Sequence, residues 1–243
     1  MPSLGNANFF RGFHDGEYML LVGAAPSLNQ VDLGRFAGIA SMGANRILQH
    51  ETFTPTYLVL CDRTPYVPEV ESGRLHGYAQ SDGIILASET IWDPSIKSRG
   101  IPAQPKPTFD HYTWRVGTCS TPFNWTDLQK PLCSFGTIIG PMIQMAVVFG
   151  AKKIGLVGVD LCAPPAAKSI HFYENEVAGE GLRAPGVFRG PNGRIGSQLT
   201  LELLADAKVA LKRLGVAIYN LSPVLDSPMS GVFGNAPIEE FLA

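Results

Sequence analysis

The sequence predicts an α/β fold in which a largely parallel sheet is flanked by helices. Short apolar runs bounded by turn residues alternate with helical segments along the chain, and this alternation is typical of strands joined by helical crossovers. The predicted strands are 18–22, 38–42, 56–61, 83–87, 153–159 and 216–220.

Two segments have the character of helices. Residues 138–149 are apolar nearly all round, which predicts a buried helix. Residues 197–214 begin with Ser197, a good N-cap, and place apolar side chains on one predicted face. The side chains of that face are Leu199, Leu203, Ala207, Ala210 and Leu214. Gly150 and Gly215 follow the two segments and predict the ends of the helices.

The length of 243 residues predicts one domain, 1–243, because a chain of this size can bury a sizeable core. Residues 92–131 depart from the regular pattern, since their prolines exclude a long helix and their aromatic side chains are unusually dense. We expect an irregular insertion here, which is either a lid or a cover on the sheet, and the aromatic density favours the cover. A second irregular segment spans 161–196.

Composition and charge exclude several classes of function. The formal net charge is −2 and no run of Lys or Arg exceeds a pair, so nucleic acid is not an expected partner. No apolar stretch reaches the ~18 residues that cross a bilayer, and the first residues lack a signal-peptide run. We therefore expect no integral membrane segment and a cytoplasmic location. Cys61, Cys119, Cys133 and Cys162 lack CxxC spacing, which indicates neither a zinc site nor a disulfide framework.

The turn from Gly23 to Leu28 directly follows the first predicted strand. Gly23 allows a ligand to approach the backbone, and Pro26 has no amide donor to leave unused. The hydroxyl of Ser27 and the free N–H groups of the next turn can then face an anion. This pattern indicates a phosphate site, and a plain strand-to-helix turn is the alternative.

Small or polar residues also follow the other predicted strands. Asn45, Asp62 and Asp160 each stand near the end of a strand, and 220–222 follow the last one. In open α/β sheets, ligands bind beyond the carboxyl ends of the strands, near the point where the strand order reverses. These side chains are therefore candidate ligand contacts, although turn geometry alone also favours such residue types.

Five segments, taken in order, resemble a known group of proteins. They are the turn at Gly23, the strand end at Asn45, the unit from Gly136 to Asp160, the tripeptide 171–173 and the closing segment 215–223. Together they resemble the superfamily that joins bacterial sialyltransferases of glycosyltransferase family 42 with the MptE-like proteins. That superfamily includes archaeal hydroxymethylpterin diphosphokinases and flagellin-modifying glycosyltransferase domains. The resemblance covers most of the chain, excluding roughly 64–130 and 177–196.

The resemblance implies a Rossmann-like sheet that binds a nucleotide. By position, Gly23, Ser27 and Asn45 are the residues that would contact the nucleotide. Gly136 and Thr137, at the start of the buried helix, are placed to donate hydrogen bonds to the phosphates or sugar of the donor. A simple N-cap is the alternative role for Thr137.

His171 is the catalytic candidate that the resemblance favours, with Tyr173 helping to stabilise the leaving phosphate. A neutral imidazole is a natural base for an acceptor hydroxyl near neutral pH. The sialyltransferases carry a second histidine that serves as the base, and the matching position here is near Asn175, which cannot act as one. Either His171 takes that role, or Glu174 or Glu176 does, or the chemistry differs.

The leading hypothesis is a metal-independent glycosyltransferase that uses no cofactor and transfers a sugar from a nucleotide-sugar, CMP-linked, to a glycan acceptor. The alternative is a pterin-type diphosphokinase that uses ATP and Mg²⁺. Such enzymes hold the metal with Asp-x-Asp, whereas this chain has Asp62-Arg63-Thr64, so the second carboxylate is missing. In the first hypothesis Asp62 orients the sugar, Arg63 offsets phosphate charge and Asp160 adds a further contact. A third hypothesis is a catalytically inactive nucleotide-binding or structural module.

Overall fold

The computed structural model describes residues 4–96, 100–161, 172–173 and 196–243. Within these ranges, eight strands form one sheet. In chain order they are β1 (Gly5–Asn6), β2 (Tyr18–Val22), β3 (Ala40–Ala44), β4 (Tyr57–Leu60), β5 (Ile84–Ser88), β6 (Tyr112–Trp114), β7 (Lys153–Val157) and β8 (Ala217–Asn220).

The sheet is parallel throughout, with the strand order β1-β6-β5-β4-β3-β2-β7-β8. Strands β3, β4 and β5 follow in order on one side of β2, whereas β7 lies on the other side of β2. The strand order therefore reverses between β2 and β7, and this is the point where a crevice opens in such sheets.

Helices cover both faces of the sheet. They are α1 (Arg63–Glu71), α2 (Arg74–Gln80), α3 (Ile139–Phe149), α4 (Gly196–Arg213), α5 (Pro228–Phe233) and α6 (Ile238–Leu242). One core lies between the sheet and α3, α4 and α5. The second core lies between the opposite face and α1, α2 and α6. Within the described ranges, no helix combines the length and the apolar character that crossing a bilayer requires.

The central strands bury side chains on both faces, which explains why they read as continuous apolar runs in the sequence. In β2, Met19 and Leu21 point into the first core, whereas Leu20 and Val22 point into the second. All four side chains are fully buried. Because neighbouring side chains of a strand point to opposite faces, a one-residue shift of β2 would exchange these two sets.

The structure confirms the predicted α/β fold and shifts several boundaries. The second predicted strand, 38–42, corresponds to β3 and begins two residues later, at Ala40. The predicted strand 153–159 corresponds to β7 and ends two residues earlier, at Val157. The core-facing side chains of α4 are Thr200, Leu204, Ala207 and Leu211, all buried. The predicted face was wrong by about one position, since Leu199 and Leu214 are exposed.

Two strands escaped prediction. β1 has two residues and β6 has three, and such short segments show no periodicity. β6 lies within the Pro-rich and aromatic-rich range 92–131, where Trp114 and Leu128 are fully buried. The indole Nε1 of Trp114 donates to the carbonyl of Leu86, 3.2 Å away.

Candidate functional site

The ends of β2 and β7 touch through two glycines. The Gly23 amide donates to the Val157 carbonyl at 2.9 Å, and the Ala25 amide donates to the Gly158 carbonyl at 2.9 Å. A Cβ atom added to Gly23 would lie 2.2 Å from the Gly158 carbonyl oxygen. Gly158 has a φ of +62°, a conformation that favours glycine. The closest approach to Gly23 is thus made by backbone of the neighbouring strand end.

Ser27 lies in the 3-10 turn Pro26–Gln30 that follows this contact. Pro26 occupies the first position of the turn, where its missing N–H costs no hydrogen bond. The Ser27 side chain is 0% exposed, and its Oγ has no hydrogen-bond partner among the described residues. A buried hydroxyl of this kind needs a partner from outside the described chain.

Asn45 follows β3 with a φ of +52°, in the left-handed region that asparagine tolerates better than most side chains. Its amide donates to the Val59 carbonyl of β4 at 2.9 Å, which fixes the backbone at this strand end. The side-chain Oδ1 is buried and has no partner within the described ranges.

Asp160 follows β7 and is 1% exposed. Its Oδ1 accepts a hydrogen bond from Ser222 Oγ at 2.5 Å, so the ends of β7 and β8 are joined by a charge-assisted bond. The other oxygen, Oδ2, is buried without a partner in the described part of the chain. One oxygen of this carboxylate is therefore bound within the protein, and the other can accept a hydrogen bond from a ligand.

We call Ser27, Asn45 and Asp160 the strand-end cluster. The three residues follow β2, β3 and β7, which are adjacent parallel strands, so they stand at one edge of the sheet around the point where the strand order reverses. Asn45 Oδ1 and Asp160 Oδ2 can only accept hydrogen bonds, whereas the Ser27 hydroxyl can donate or accept. The cluster can therefore bind a group that carries N–H or O–H donors.

The segment 172–173 lies over the same edge. The Phe172 amide donates to the Ala24 carbonyl at 2.8 Å, and Asn29 Nδ2 donates to the Phe172 carbonyl at 3.3 Å. Tyr173 is buried, and its ring stacks under the guanidinium of Arg46 at 4.5 Å. The structure thus brings Tyr173 to the loops after β2 and β3. His171, the predicted base, lies outside the described residues, as do the alternatives Glu174 and Glu176.

Arg46 is a residue of this edge that the sequence did not single out. Its Nε lies 3.5 Å from Glu69 Oε1. Glu69 is a fully buried carboxylate that also accepts hydrogen bonds from Arg74 Nε at 2.7 Å and from Gln49 Nε2 at 2.9 Å. Two arginines around one carboxylate leave a net positive charge. The useful sequence signal was its position directly after Asn45.

Asp62 and Arg63 follow β4 but have other partners. Asp62 caps α1, and its Oδ1 accepts from the Thr64 amide at 2.7 Å. Its role toward a ligand stays a prediction. Arg63 is 2% exposed and donates to the carbonyls of Ile91, Asp93, Ile96 and Ile101. The prediction that Arg63 offsets phosphate charge is wrong, because its buried guanidinium donates its hydrogen bonds to backbone carbonyls of the protein.

Gly136 and Thr137 precede α3 and form a turn of their own. The Gly136 amide donates to Ser134 Oγ at 3.3 Å, and the Thr137 amide donates to the Ser134 carbonyl at 2.8 Å. Thr137 Oγ1 accepts from the Ile139 amide at 3.5 Å, a long capping contact. Both amides are therefore engaged within the turn, and contact of this pair with a donor sugar or phosphate stays a prediction.

Two titratable side chains near this edge have shifted pKa values. Burial, with a smaller effect of Asp62, raises the pKa of the Cys61 thiol to about 12, so that thiol is protonated at neutral pH. Burial lowers the pKa of His50, and the charge of Glu51 opposes that shift. The His50 ring lies 5.5 Å from the Phe172 ring. Within the described ranges, no group of three His, Cys, Asp or Glu side chains is arranged to hold a metal ion.

A groove of about 530 Å³ lies at the opposite edge of the sheet. Its lining includes His14, Ser41 and Thr56, and the last two stand at the amino-terminal ends of β3 and β4. His14 bridges Glu17 at 2.7 Å and the Tyr57 hydroxyl at 2.8 Å. This groove is separate from the strand-end cluster, which stands at the carboxyl ends of the strands.

The fold and the cluster define an α/β protein with an open parallel sheet. Where its strand order reverses, buried oxygens have no hydrogen-bond partner within the described ranges. No protein-family model matches the chain, and no curated protein matches it. It is similar to a solved structure, the MAf glycosyltransferase from Magnetospirillum magneticum AMB-1, with 16% identity and a TM-score of 0.49. The match covers 88% of this chain and 35% of that one. The chain therefore spans about a third of the length of that protein.

Removing the Ser27 hydroxyl is expected to leave the fold as stable or more stable. Ser27→Ala deletes a buried hydroxyl that has no partner among the described residues, so the free energy of unfolding should rise by up to about 1 kcal/mol. Urea unfolding measures this change. The matched control is Ser41→Ala, because Ser41 is also buried but its Oγ accepts from the Thr56 amide at 3.1 Å. The control should lose about 1 kcal/mol; equal losses in both variants would contradict our interpretation of Ser27.

Proposed function

We propose that the chain is a glycosyltransferase that transfers a sugar from a CMP-linked donor to a glycan acceptor without a metal ion. The observation that carries this proposal is the strand-end cluster, whose three side chains each hold a buried oxygen without a partner in the described chain. Unpaired buried polar atoms are costly in a fold and are therefore retained where a ligand uses them.

The chemistry of the cluster favours a nucleoside-bearing ligand. Its two pure acceptors, Asn45 Oδ1 and Asp160 Oδ2, suit the hydroxyl and amino groups of a nucleoside better than the oxygens of a phosphate, which are themselves acceptors. Ser27, in the turn after Gly23 and Pro26, is the member that can donate to a phosphate. We assign the remaining contacts of the donor to Asp62, Gly136 and Thr137.

A metal-independent transfer needs another source of positive charge beside the leaving phosphate. Arg46 supplies a cation at this edge, and its guanidinium packs on the Tyr173 ring at 4.5 Å. We propose that Tyr173 and Arg46 together stabilise the charge that develops on the leaving nucleotide. The paired carboxylate Glu69 holds Arg46 in position, so the cation is organised before the donor binds.

His171 is the proposed general base that removes the proton of the acceptor hydroxyl. Its chain neighbour Phe172 is tied to the Ala24 carbonyl at the edge of the cluster, which supports a base acting there. His171→Ala is expected to reduce turnover at least about 100-fold, within the range for loss of a general base. Its affinity for CMP should change less than threefold.

The assay measures release of CMP from CMP-linked sugars, with UDP-linked and GDP-linked sugars in parallel and with EDTA added or omitted. His76→Ala is the matched control, since His76 is exposed on α2 and its ring forms an exposed hydrogen bond with the Gln80 side chain at 2.9 Å. Unchanged turnover in His171→Ala would remove His171 from the mechanism. Turnover that depends on Mg²⁺ and ATP would replace the whole proposal with the diphosphokinase reaction.

A further inference from the structure

The partners of Asp160 divide its carboxylate into two parts. Oδ1 is held by Ser222 Oγ at 2.5 Å, and Oδ2 has no partner in the described residues. Ser222 is 4% exposed. Its hydroxyl donates its one proton to Asp160, and its Oγ accepts from the Val224 amide at 3.1 Å. The orientation of the carboxylate is therefore fixed by the protein.

Ser222 is fixed in turn by the loop after β8. Its amide donates to Asn220 Oδ1 at 3.3 Å, and its carbonyl accepts from Asn235 Nδ2 at 2.6 Å. Asn220 Nδ2 reaches Ser230 Oγ of α5 at 3.4 Å. A network of this kind holds one oxygen of Asp160 in place. The other oxygen can then accept a hydrogen bond from a ligand.

The charge of Asp160 limits what that donor can be. Within the described ranges, no Lys, Arg or His side chain lies within 4.0 Å of its carboxylate to form an ion pair. A phosphate or carboxylate of a ligand would be repelled at this point. A neutral group that donates O–H is suited to it, since a hydrogen bond from a hydroxyl to a carboxylate is of the strong, charge-assisted kind.

We infer that Asp160 is the residue that recognises a sugar hydroxyl of the ligand, and that Ser222 is its positioning residue. This inference rests on the proposed function and deepens it, because it names which part of the donor lies between β2 and β7. The hydroxyl can come from the ribose of the nucleotide or from the sugar that is transferred. Both sources share the same chemistry, and the experiment separates them.

The experiment measures dissociation constants by titration calorimetry for CMP, 2′-deoxy-CMP, 3′-deoxy-CMP and a CMP-linked sugar. The proteins are wild type, Asp160→Ala, the isosteric Asp160→Asn and Ser222→Ala, each first shown to be folded by its thermal unfolding. Asp32→Asn is the matched control, because Asp32 is an exposed aspartate whose Oδ1 caps the 3-10 turn Leu33–Phe36 through the Gly34 amide at 3.0 Å.

If the ribose is the source, one of the two deoxy-CMPs binds wild type and Asp32→Asn at least tenfold more weakly than CMP. That ratio falls to threefold or less in both Asp160 variants and takes an intermediate value in Ser222→Ala. If the transferred sugar is the source, CMP and its deoxy forms bind alike, while the Asp160 variants lose at least tenfold affinity for the CMP-linked sugar alone.

Two other results would overturn the inference and differ from each other. Asp160 variants that bind every ligand as wild type does would show that Asp160 recognises no hydroxyl, while the proposed function would stand. Wild-type protein that binds neither CMP nor the CMP-linked sugar would overturn the proposed function and this inference together.

Discussion

Replacing Arg63 with methionine is expected to lower the free energy of unfolding by about 3 kcal/mol. The Arg63 guanidinium is buried under the segment that follows β5 and donates to four carbonyls between residues 91 and 101. Methionine fills much of the volume but leaves those carbonyls without a donor. Hydrogen bonds to a charged group are worth more than neutral ones, so the loss is large for one side chain. Urea unfolding with an unchanged m-value measures it.

Two variants test the cause of this loss. Arg63→Lys keeps the charge but not the planar fork of five donors, so an intermediate loss is expected. Arg35→Met is the matched control, because Arg35 is 40% exposed and pairs with the exposed Glu239 at 2.6 Å. Removing this surface pair should cost less than about 1 kcal/mol. An Arg63→Met protein that unfolds at the same urea concentration as wild type would refute the anchoring role of Arg63.

Replacing Gly23 with alanine is expected to destabilise the fold by about 3 kcal/mol and to weaken binding of CMP. The added methyl carbon would lie 2.2 Å from the Gly158 carbonyl oxygen and 2.9 Å from Val159 Cγ2, so backbone has to move. Such a movement separates the ends of β2 and β7, which carry Ser27 and Asp160. Thermal unfolding with and without CMP measures both effects.

Gly77→Ala is the matched control for this substitution. Gly77 lies inside α2, and an added Cβ meets nothing within 4 Å. Alanine in a helix is favoured over glycine by roughly 0.5–1 kcal/mol, so the control should become more stable. If Gly23→Ala were as stable as Gly77→Ala, the glycine contact between the two strands would not limit this site.

The longer strands, of four or five residues, and the polar residues that follow them could be predicted because their signals are local. A fully buried parallel strand is a continuous apolar run, and the residue after it is small or polar when the chain must turn. Asn45 and Asp160 were found in this way. The order of the strands could not be predicted from these signals, because no local feature of β7 says that it pairs with β2.

Two similar dipeptides show where sequence analysis reaches its limit. Asn45-Arg46 and Asp62-Arg63 both place a polar residue and an arginine after a strand. In the structure, Arg46 stacks on Tyr173 at the edge of the sheet, whereas Arg63 is buried against backbone carbonyls. What separates them is the covering segment after β5, which lies about 30 residues away in sequence from Arg63. Long-range packing of this kind leaves no local pattern.

We propose that the strand-end cluster binds a nucleotide without a metal ion, and thermal unfolding with added nucleotides measures this binding. CMP, CDP, UDP, GDP and ATP are each added with Mg²⁺ or with EDTA, to wild type and to Asn45→Gly. That substitution keeps the left-handed backbone that asparagine adopts here and removes the oxygen that has no partner in the described part of the chain.

A ligand that binds only the folded protein stabilises it by roughly 2.7 kcal/mol at a hundredfold excess over its Kd. We expect CMP to stabilise wild type equally with Mg²⁺ and with EDTA, and to stabilise Asn45→Gly much less. Stabilisation by ATP with Mg²⁺ alone, or by none of the five nucleotides, would contradict metal-independent binding of a nucleotide at the strand-end cluster.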